Sequence, residues 1–172
     1  MIDQLIYSLN LAAPPDVVWA AITDPAHTCC YFYDLAVHAE WKKGGHIAYQ
    51  LPNGAPALAG RILEYAPPYR FRMSAVLQFA HQLRAEQGSA IDWVTTPRGS
   101  GTLLIITHDG LAECPRTRRI MRTSWPAICD ALARHVAVDA LAQAQCSVIR
   151  TRTGNHPTPR ACRLMYSDRP SS

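Results

Sequence analysis

The chain has 172 residues, 48% hydrophobic and 17% charged, which fits one domain built around one sizeable core. Its net charge of +4 comes from the end of the chain: five of the 17 basic and one of the 13 acidic residues lie beyond position 146, so residues 1–146 balance at 12 against 12. A balanced body excludes the broad basic surface that collects phosphates, so no nucleic-acid partner is expected for the folded part. No apolar run approaches the ~18 residues of a membrane span, and Asp3 stands where a secretory leader would carry basic residues. A cytoplasmic protein without a membrane partner is the expectation, with Cys29, Cys30, Cys114, Cys129, Cys146 and Cys162 reduced. Their spacing contains neither a CxxC pair nor a zinc pattern, so no metal site and no cofactor are expected. Adjacent Cys29 and Cys30 read either as a soft-metal or oxidisable pair or as two thiols ending a helix.

In chain order, Ile2 to Leu11 reads as a first strand, ended by Pro14 and Pro15. Pro15 and Asp16 suit a helix's first turn, and Val17, Val18, Ala21 and Ile22 supply its buried side. Asp24-Pro25 breaks that helix, and Asp24 caps a second short one, roughly Pro25 to Cys30. Six strands follow: Leu35 to Glu40, His46 to Leu51, Ala57 to Tyr65, Arg70 to Phe79, Ala90 to Thr96 and Thr102 to His108. Gly44-Gly45, Pro52-Asn53-Gly54, Pro67-Pro68 and Arg98-Gly99-Ser100-Gly101 separate them as turns, which predicts antiparallel pairing of consecutive strands. His81 to Gly88 reads as a loop and Cys114 to Thr123 as a separate turn of helix. A long helix then starts with Ser124 as N-cap and Pro126 in its first turn. It carries Trp125, Ile128, Cys129, Leu132, Val136 and Val138 near a 3.6-residue period and runs to about Gln145. The predicted domain covers residues 1–146, followed by an Arg- and Pro-rich tail, 147–172, expected to lack regular structure.

Several pieces, taken together, resemble a known family. They are Pro15, Val18, Trp19, Ala21, Thr23, Asp24 and Pro25; Glu40-Trp41-Lys42-Lys43-Gly44; Thr107-His108-Asp109-Gly110-Leu111; and Trp125-Pro126. In this order they resemble the activator of heat-shock-protein-90 ATPase homologues, a branch of the START/SRPBCC superfamily that includes birch-pollen-allergen-like proteins. The resemblance covers about residues 2–138. It implies an α+β helix-grip fold: a curved antiparallel sheet wrapped around a long C-terminal helix, with two short helices after strand one, enclosing a cavity. Ser124 replaces the family's glycine before Trp-Pro, and His27 to Tyr33 replaces the Trp- or Arg-rich stretch expected near the cavity mouth. The family's eukaryotic co-chaperones carry a further N-terminal domain that this chain does not contain, which speaks against direct chaperone stimulation. No phosphate-binding glycine loop is present for ATP hydrolysis.

Trp41, Tyr49, Phe71, Met73, Trp93, His108 and Trp125 are the residues expected to line the cavity; the competing account is that they fill a core. Alternation puts Phe71, Met73, Ala75 and Leu77 on one face of their strand and Ile91, Trp93 and Thr95 on one face of theirs. Trp19 is expected to lock the first helix onto the sheet. Alternation also turns Asp109 away from His108, which weakens a His–Asp dyad, and no nucleophile elbow is present, so no catalytic residue is assigned. Three readings follow. The first is binding of a small apolar or aromatic molecule without chemistry. The second is an enzyme similar to polyketide cyclases and aromatases, with His108 or Tyr49 moving a proton. The third is a stress-response or co-chaperone-like interaction module, with the tail as a docking arm or a homodimer contact through exposed Trp41 or Tyr31.

Overall fold

A computed structural model describes the backbone of residues 3–153 and the side chains of residues 3–143. The elements run β1 (Leu5–Leu11), α1 (Pro15–Thr23), α2 (Pro25–Tyr31), β2 (Ala36–Ala39), β3 (His46–Gln50), β4 (Pro56–Ala66), β5 (Arg70–Leu77), α3 (His81–Arg84), β6 (Ser89–Arg98), β7 (Gly101–Asp109) and α4 (Pro115–Thr153). The seven strands form one sheet in the order β1-β7-β6-β5-β4-β3-β2. From β2 onward each strand pairs antiparallel with the next, as the turn residues predict, and β1 closes the row against β7. The helix-grip architecture expected from the sequence is therefore present.

Strict alternation sorts the side chains. On β5, Phe71, Met73, Ala75 and Leu77 are buried, while Arg70, Arg72, Ser74 and Val76 face outward half-covered. On β7, Thr102, Leu104, Ile106 and His108 are buried in the same way. Gly60 permits the close approach of β4 to β5: a Cβ there would lie 1.7 Å from the Ser74 carbonyl oxygen. The register shifts between Ile62 and Glu64, just after this contact.

An ionic ladder holds the outer face. Arg70 reaches back to Glu64 at 2.7 Å and forks onto Asp92, with Nε to Oδ1 at 2.9 Å and Nη2 to Oδ2 at 2.7 Å. Arg72 forks onto Asp109 with both contacts at 2.8 Å. Four strands, β4 to β7, are thus tied by side chains as well as by their backbones, and the planar guanidinium suits such two-point contacts.

The helices cover the inner face. In α1, Val17, Val18, Ala21 and Ile22 are buried as expected, and the Asp24 side chain caps α2 by accepting from Ala26 N–H at 2.8 Å. Trp19 packs edge-on against Phe71 at 5.9 Å, fixing α1 to the sheet.

The start of α4 differs from the sequence expectation. The segment Cys114 to Thr123 is not a separate turn and Ser124 is not an N-cap: α4 begins at Pro115 and carries Pro126 in its interior. A proline inside a helix forfeits one hydrogen bond and crowds the preceding turn, which is why Pro126 read as a helix start. Burial of Cys114, Thr117, Met121, Trp125, Ile128, Leu132 and Val136 continues one stripe through that position without a change of phase. The true N-terminus is capped from outside. Glu86 accepts from Arg116 N–H at 2.8 Å, Thr117 N–H at 3.0 Å and the Thr117 hydroxyl at 2.6 Å. Nearby, His81–Arg84 forms a turn of helix where a loop was predicted.

Of the described residues, those up to Ala140 form one compact unit holding the sheet, and a second unit begins at Leu141. The helical run continues to Thr153, beyond the predicted helix end near Gln145, and residues 154–172 of the predicted tail lie outside the described residues. Among the described residues no helix is long and apolar enough to cross a membrane.

Candidate functional site

The alternation of β5, β6 and β7 sets large side chains side by side on the inner face. Phe71 on β5 sits opposite Trp93 on β6, and the two rings stack at 5.8 Å with planes 16° apart. Trp125, carried inward by α4, meets Trp93 edge-on at 5.6 Å. Beyond it, Phe32 at the end of α2 touches Trp125 at 5.9 Å and Tyr49 of β3 at 4.8 Å. On the other side Trp41 meets Phe71 at 5.4 Å and stacks on Tyr65 at 5.7 Å. One continuous run of aromatic rings, from Tyr49 to Tyr65, thus lines the inner face at spacings favourable for ring–ring contact.

Of the seven residues predicted to line the interior, Tyr49, Phe71, Met73, Trp93, His108 and Trp125 are at most 1% exposed, and Trp41 is half-buried. Met73 lies in the same core, opposite Ile62 and Ile91. Phe32 and Tyr65 complete the aromatic run and were not among the predicted residues. Phe32 falls in the His27 to Tyr33 segment, which the resemblance puts near the cavity mouth without singling out a residue.

The polar chemistry of this interior is a closed chain. The Trp125 indole N–H donates to His108 Nδ1 at 3.0 Å. An indole nitrogen is only a donor, so Nδ1 must carry the lone pair and the neutral ring must carry its proton on Nε2. That N–H faces Ser89 Oγ at 2.7 Å, and Ser89 in turn donates to the Ala75 carbonyl at 3.1 Å. Every member is satisfied with His108 neutral. Burial holds the His108 pKa at about 4, well below its usual range, although nearby Asp109 pulls it upward. Asp109 itself faces the other side of the sheet and pairs with Arg72, as alternation predicts. Ser89 was missed, yet the β6–β7 register places it: Ile91 lies opposite His108, which makes Ser89 the diagonal neighbour.

Two polar groups stand apart. Trp93 Nε1 is buried and has no hydrogen-bond partner. The Tyr49 hydroxyl is deeply buried, and burial alone pushes its pKa far up. Tyr31, by contrast, is committed: its hydroxyl donates to the Ala21 carbonyl at 3.0 Å. Tyr31 is only 6% exposed, which corrects its reading as an exposed dimer contact.

At the α2–α4 contact, His27 Nδ1 and His135 Nε2 share a hydrogen bond at 2.8 Å. Burial, followed by the His27 charge, lowers the His135 pKa, while Asp139 opposes the shift. The Cys29 and Cys30 thiols both lie near the Ala26 carbonyl, at 3.5 and 3.3 Å, as local contacts within α2. Among the described residues no group of three or more His, Cys, Asp or Glu is placed to hold a metal ion.

Solved structures with the same architecture include CalU16 from Micromonospora echinospora, 25% identical with a TM-score of 0.62; the match covers 77% of this chain and 65% of that one, so the chain spans just under two thirds of its length. DynU16, from the dynemicin biosynthetic locus, is 16% identical with a TM-score of 0.66 over 81% of this chain and 49% of its own. PFC0360w, an HSP90 activator from Plasmodium falciparum, is 17% identical with a TM-score of 0.52 over 63% of this chain and 74% of its own. These likenesses establish the SRPBCC-type fold. No curated protein matches the chain. The profile described as activator of Hsp90 ATPase homolog 1-like protein matches residues 12–137, from the end of β1 into α4, and the chain belongs to that family.

Proposed function

We propose that the domain binds a small apolar or aromatic molecule against the inner face of its sheet, without catalysing a reaction on it. The observation that carries this reading is the aromatic run from Tyr49 through Phe32, Trp125, Trp93 and Phe71 to Trp41 and Tyr65. Flat apolar surfaces of this kind recognise flat apolar ligands, and a few polar groups then fix orientation.

The enzyme reading needs a proton-transfer group, and His108 is poorly suited to be one. Both its nitrogens are engaged, and accepting a proton would set Nδ1–H against the Trp125 N–H. The Tyr49 phenol is held protonated by burial, so it serves a ligand as a hydrogen-bonding group and not as a base. A chaperone-directed role finds support in the family name and in the fold shared with an HSP90 activator. No described residue adds to it.

Native mass spectrometry of the purified protein, compared with its denatured mass, tests the proposal. An excess mass of small-molecule size, lost on denaturation, is expected. A bare native mass, together with an unchanged melting temperature across a panel of lipids and planar aromatic compounds, would refute it.

A further inference from the structure

One polar contact fastens α2 to α4 away from the inner face. His27 Nδ1 and His135 Nε2 share a hydrogen bond at 2.8 Å, with both residues half-buried and the ring planes crossed at 71°. A neutral imidazole has one donor and one acceptor, and a charged one has two donors, so the contact has a definite proton count. In the neutral pair one ring donates its N–H to the lone pair of the other. A first added proton goes to the outer nitrogen of the donor ring, and the contact survives as a charge-assisted bond. A second proton has only the shared lone pair to occupy. It sets N–H against N–H and two positive charges side by side, and the contact breaks.

Burial, then the His27 charge, lower the His135 pKa, and Asp139 one turn along α4 opposes them. Asp139 thus supplies one negative charge against the two positive ones of a doubly protonated pair. Tyr31 of α2 lies 5.8 Å from the His135 ring, but its hydroxyl is committed to the Ala21 carbonyl and burial keeps it neutral. Cys129 of α4 is neutral as well, pushed up to about 11 by burial and then by Asp130. On α2, Asp24 is engaged in capping Ala26, and the Cys30 thiol rests on the Ala26 carbonyl. Arg134, beside His135, is exposed and adds positive charge.

The other fastenings decide which element gives way. Asp24 caps α2, the Thr28 hydroxyl accepts from Val37 N–H at 2.9 Å, and Tyr31 ties α2 to α1. Past Leu132, by contrast, Val136 is the last buried side chain of α4 among the described residues, and Val138 is already 62% exposed. We propose that the His27–His135 pair is an acid-released latch: it holds the outgoing part of α4 against α2 until both rings are charged, and residues 133–140 then come free. The latch acts whether or not the inner face takes a ligand.

The test titrates the full chain. Ring nitrogen resonances follow protonation of the two histidines, assigned with His27→Gln and His135→Gln, and amide nitrogen relaxation gives the backbone order of residues 133–140. Order parameters of about 0.85 are expected at neutral pH, falling below about 0.6 with the same midpoint as the second ring protonation, on the acid side of the ordinary histidine value. Glutamine at position 27 offers a carbonyl oxygen to a charged His135. In His27→Gln the segment is therefore expected to stay ordered in acid and His135 to titrate higher. Order that persists in the unaltered protein with both rings charged would overturn the latch. Order lost equally in His27→Gln would place the trigger on another group and overturn it too. The same spectra report β5 to β7, and loss of order there at the same midpoint would identify global unfolding in place of local release. The titration of the unaltered protein decides the matter even if neither variant folds.

Discussion

Replacing Trp125 by Phe, beside the same replacement at Trp93, isolates the energy of the buried polar chain. Both residues are at most 1% exposed and both lose the same atoms, so the loss of packed surface is similar, about 1 kcal/mol each. The difference lies in what the nitrogen was doing. Trp125→Phe strands His108 Nδ1 as a buried acceptor without a donor, at a further cost of about 2 kcal/mol. Trp93→Phe removes a donor that had no partner and so relieves a penalty, leaving a net loss of 1 kcal/mol or less. Against the 5–15 kcal/mol typical of a domain, both variants remain folded. Urea unfolding followed by far-ultraviolet circular dichroism, analysed with a shared slope, gives the two values directly. Trp125→Phe is expected to lose about 3 kcal/mol and to exceed Trp93→Phe by about 2 kcal/mol. Equal losses, or a larger loss at Trp93, would refute the assignment of the hydrogen bonds and of the His108 tautomer.

The same chain fixes a pH dependence. His108 titrates at about 4 when folded against 6.5 when unfolded, so between these values the unfolded state binds the extra proton. Stability is therefore complete above pH 6.5 and falls through the interval to pH 4 by about 3 kcal/mol, with His135 contributing in the same direction. Equilibrium unfolding at stepped pH should show this fall, and a His108→Gln variant should flatten it; a flat profile in the unaltered protein would contradict the buried neutral imidazole. On the outer face, Asp92→Asn removes the charge between Arg70 and Arg72 and is expected to cost about 2 kcal/mol. A double-mutant cycle with Arg70→Met should then give a coupling near 1 kcal/mol, and a coupling near zero would reduce the ladder to a surface feature. Glu86→Ala deletes the cap of α4 and is expected to cost about 1–2 kcal/mol. Burial raises the Glu86 pKa, but the Thr117 hydroxyl and the Arg116 and Thr117 N–H groups outweigh it, so the net shift is downward. The cap's contribution is thus present above the unfolded carboxyl pKa and lost as pH falls; amide exchange in the first turn of α4 that is unchanged by the substitution would contradict the capping role.

What the sequence reveals here follows from how far each signal reaches. Strand alternation is local: it sets Phe71 and Met73 on one face of β5, Trp93 with Ile91 on one face of β6, and His108 and Asp109 on opposite faces of β7. Turn residues are local too, and they yielded the antiparallel order. The start of α4 was illegible because its first two turns are dominated by Arg116, Arg118, Arg119 and Arg122, which bury the signal of Cys114, Thr117 and Met121. Its cap comes from Glu86, 30 residues away, where no motif spacing reaches. Phe32 was legible only as part of the His27 to Tyr33 segment, because its contact with Tyr49 of β3 is a tertiary one.

His108 shows why a residue type at a strand end does not settle its chemistry. The sequence offers a histidine at the end of β7 beside an aspartate, a pattern equally open to catalysis and to structure. The decision rests on two partners distant in sequence: a donor-only indole on one nitrogen, and on the other a serine whose own proton is already committed. With the lone pair occupied, a general-base step would first have to break the contact that pins α4 to β7, so catalysis there would work against the fold. Of the other buried polar groups, Trp93 keeps a donor without a partner and the Tyr49 phenol stays protonated at neutral pH. Such groups hydrogen-bond and do not abstract protons. The histidine of the inner face thus serves the fold, and the ligand-binding proposal asks of the remaining polar groups only that they orient a bound molecule.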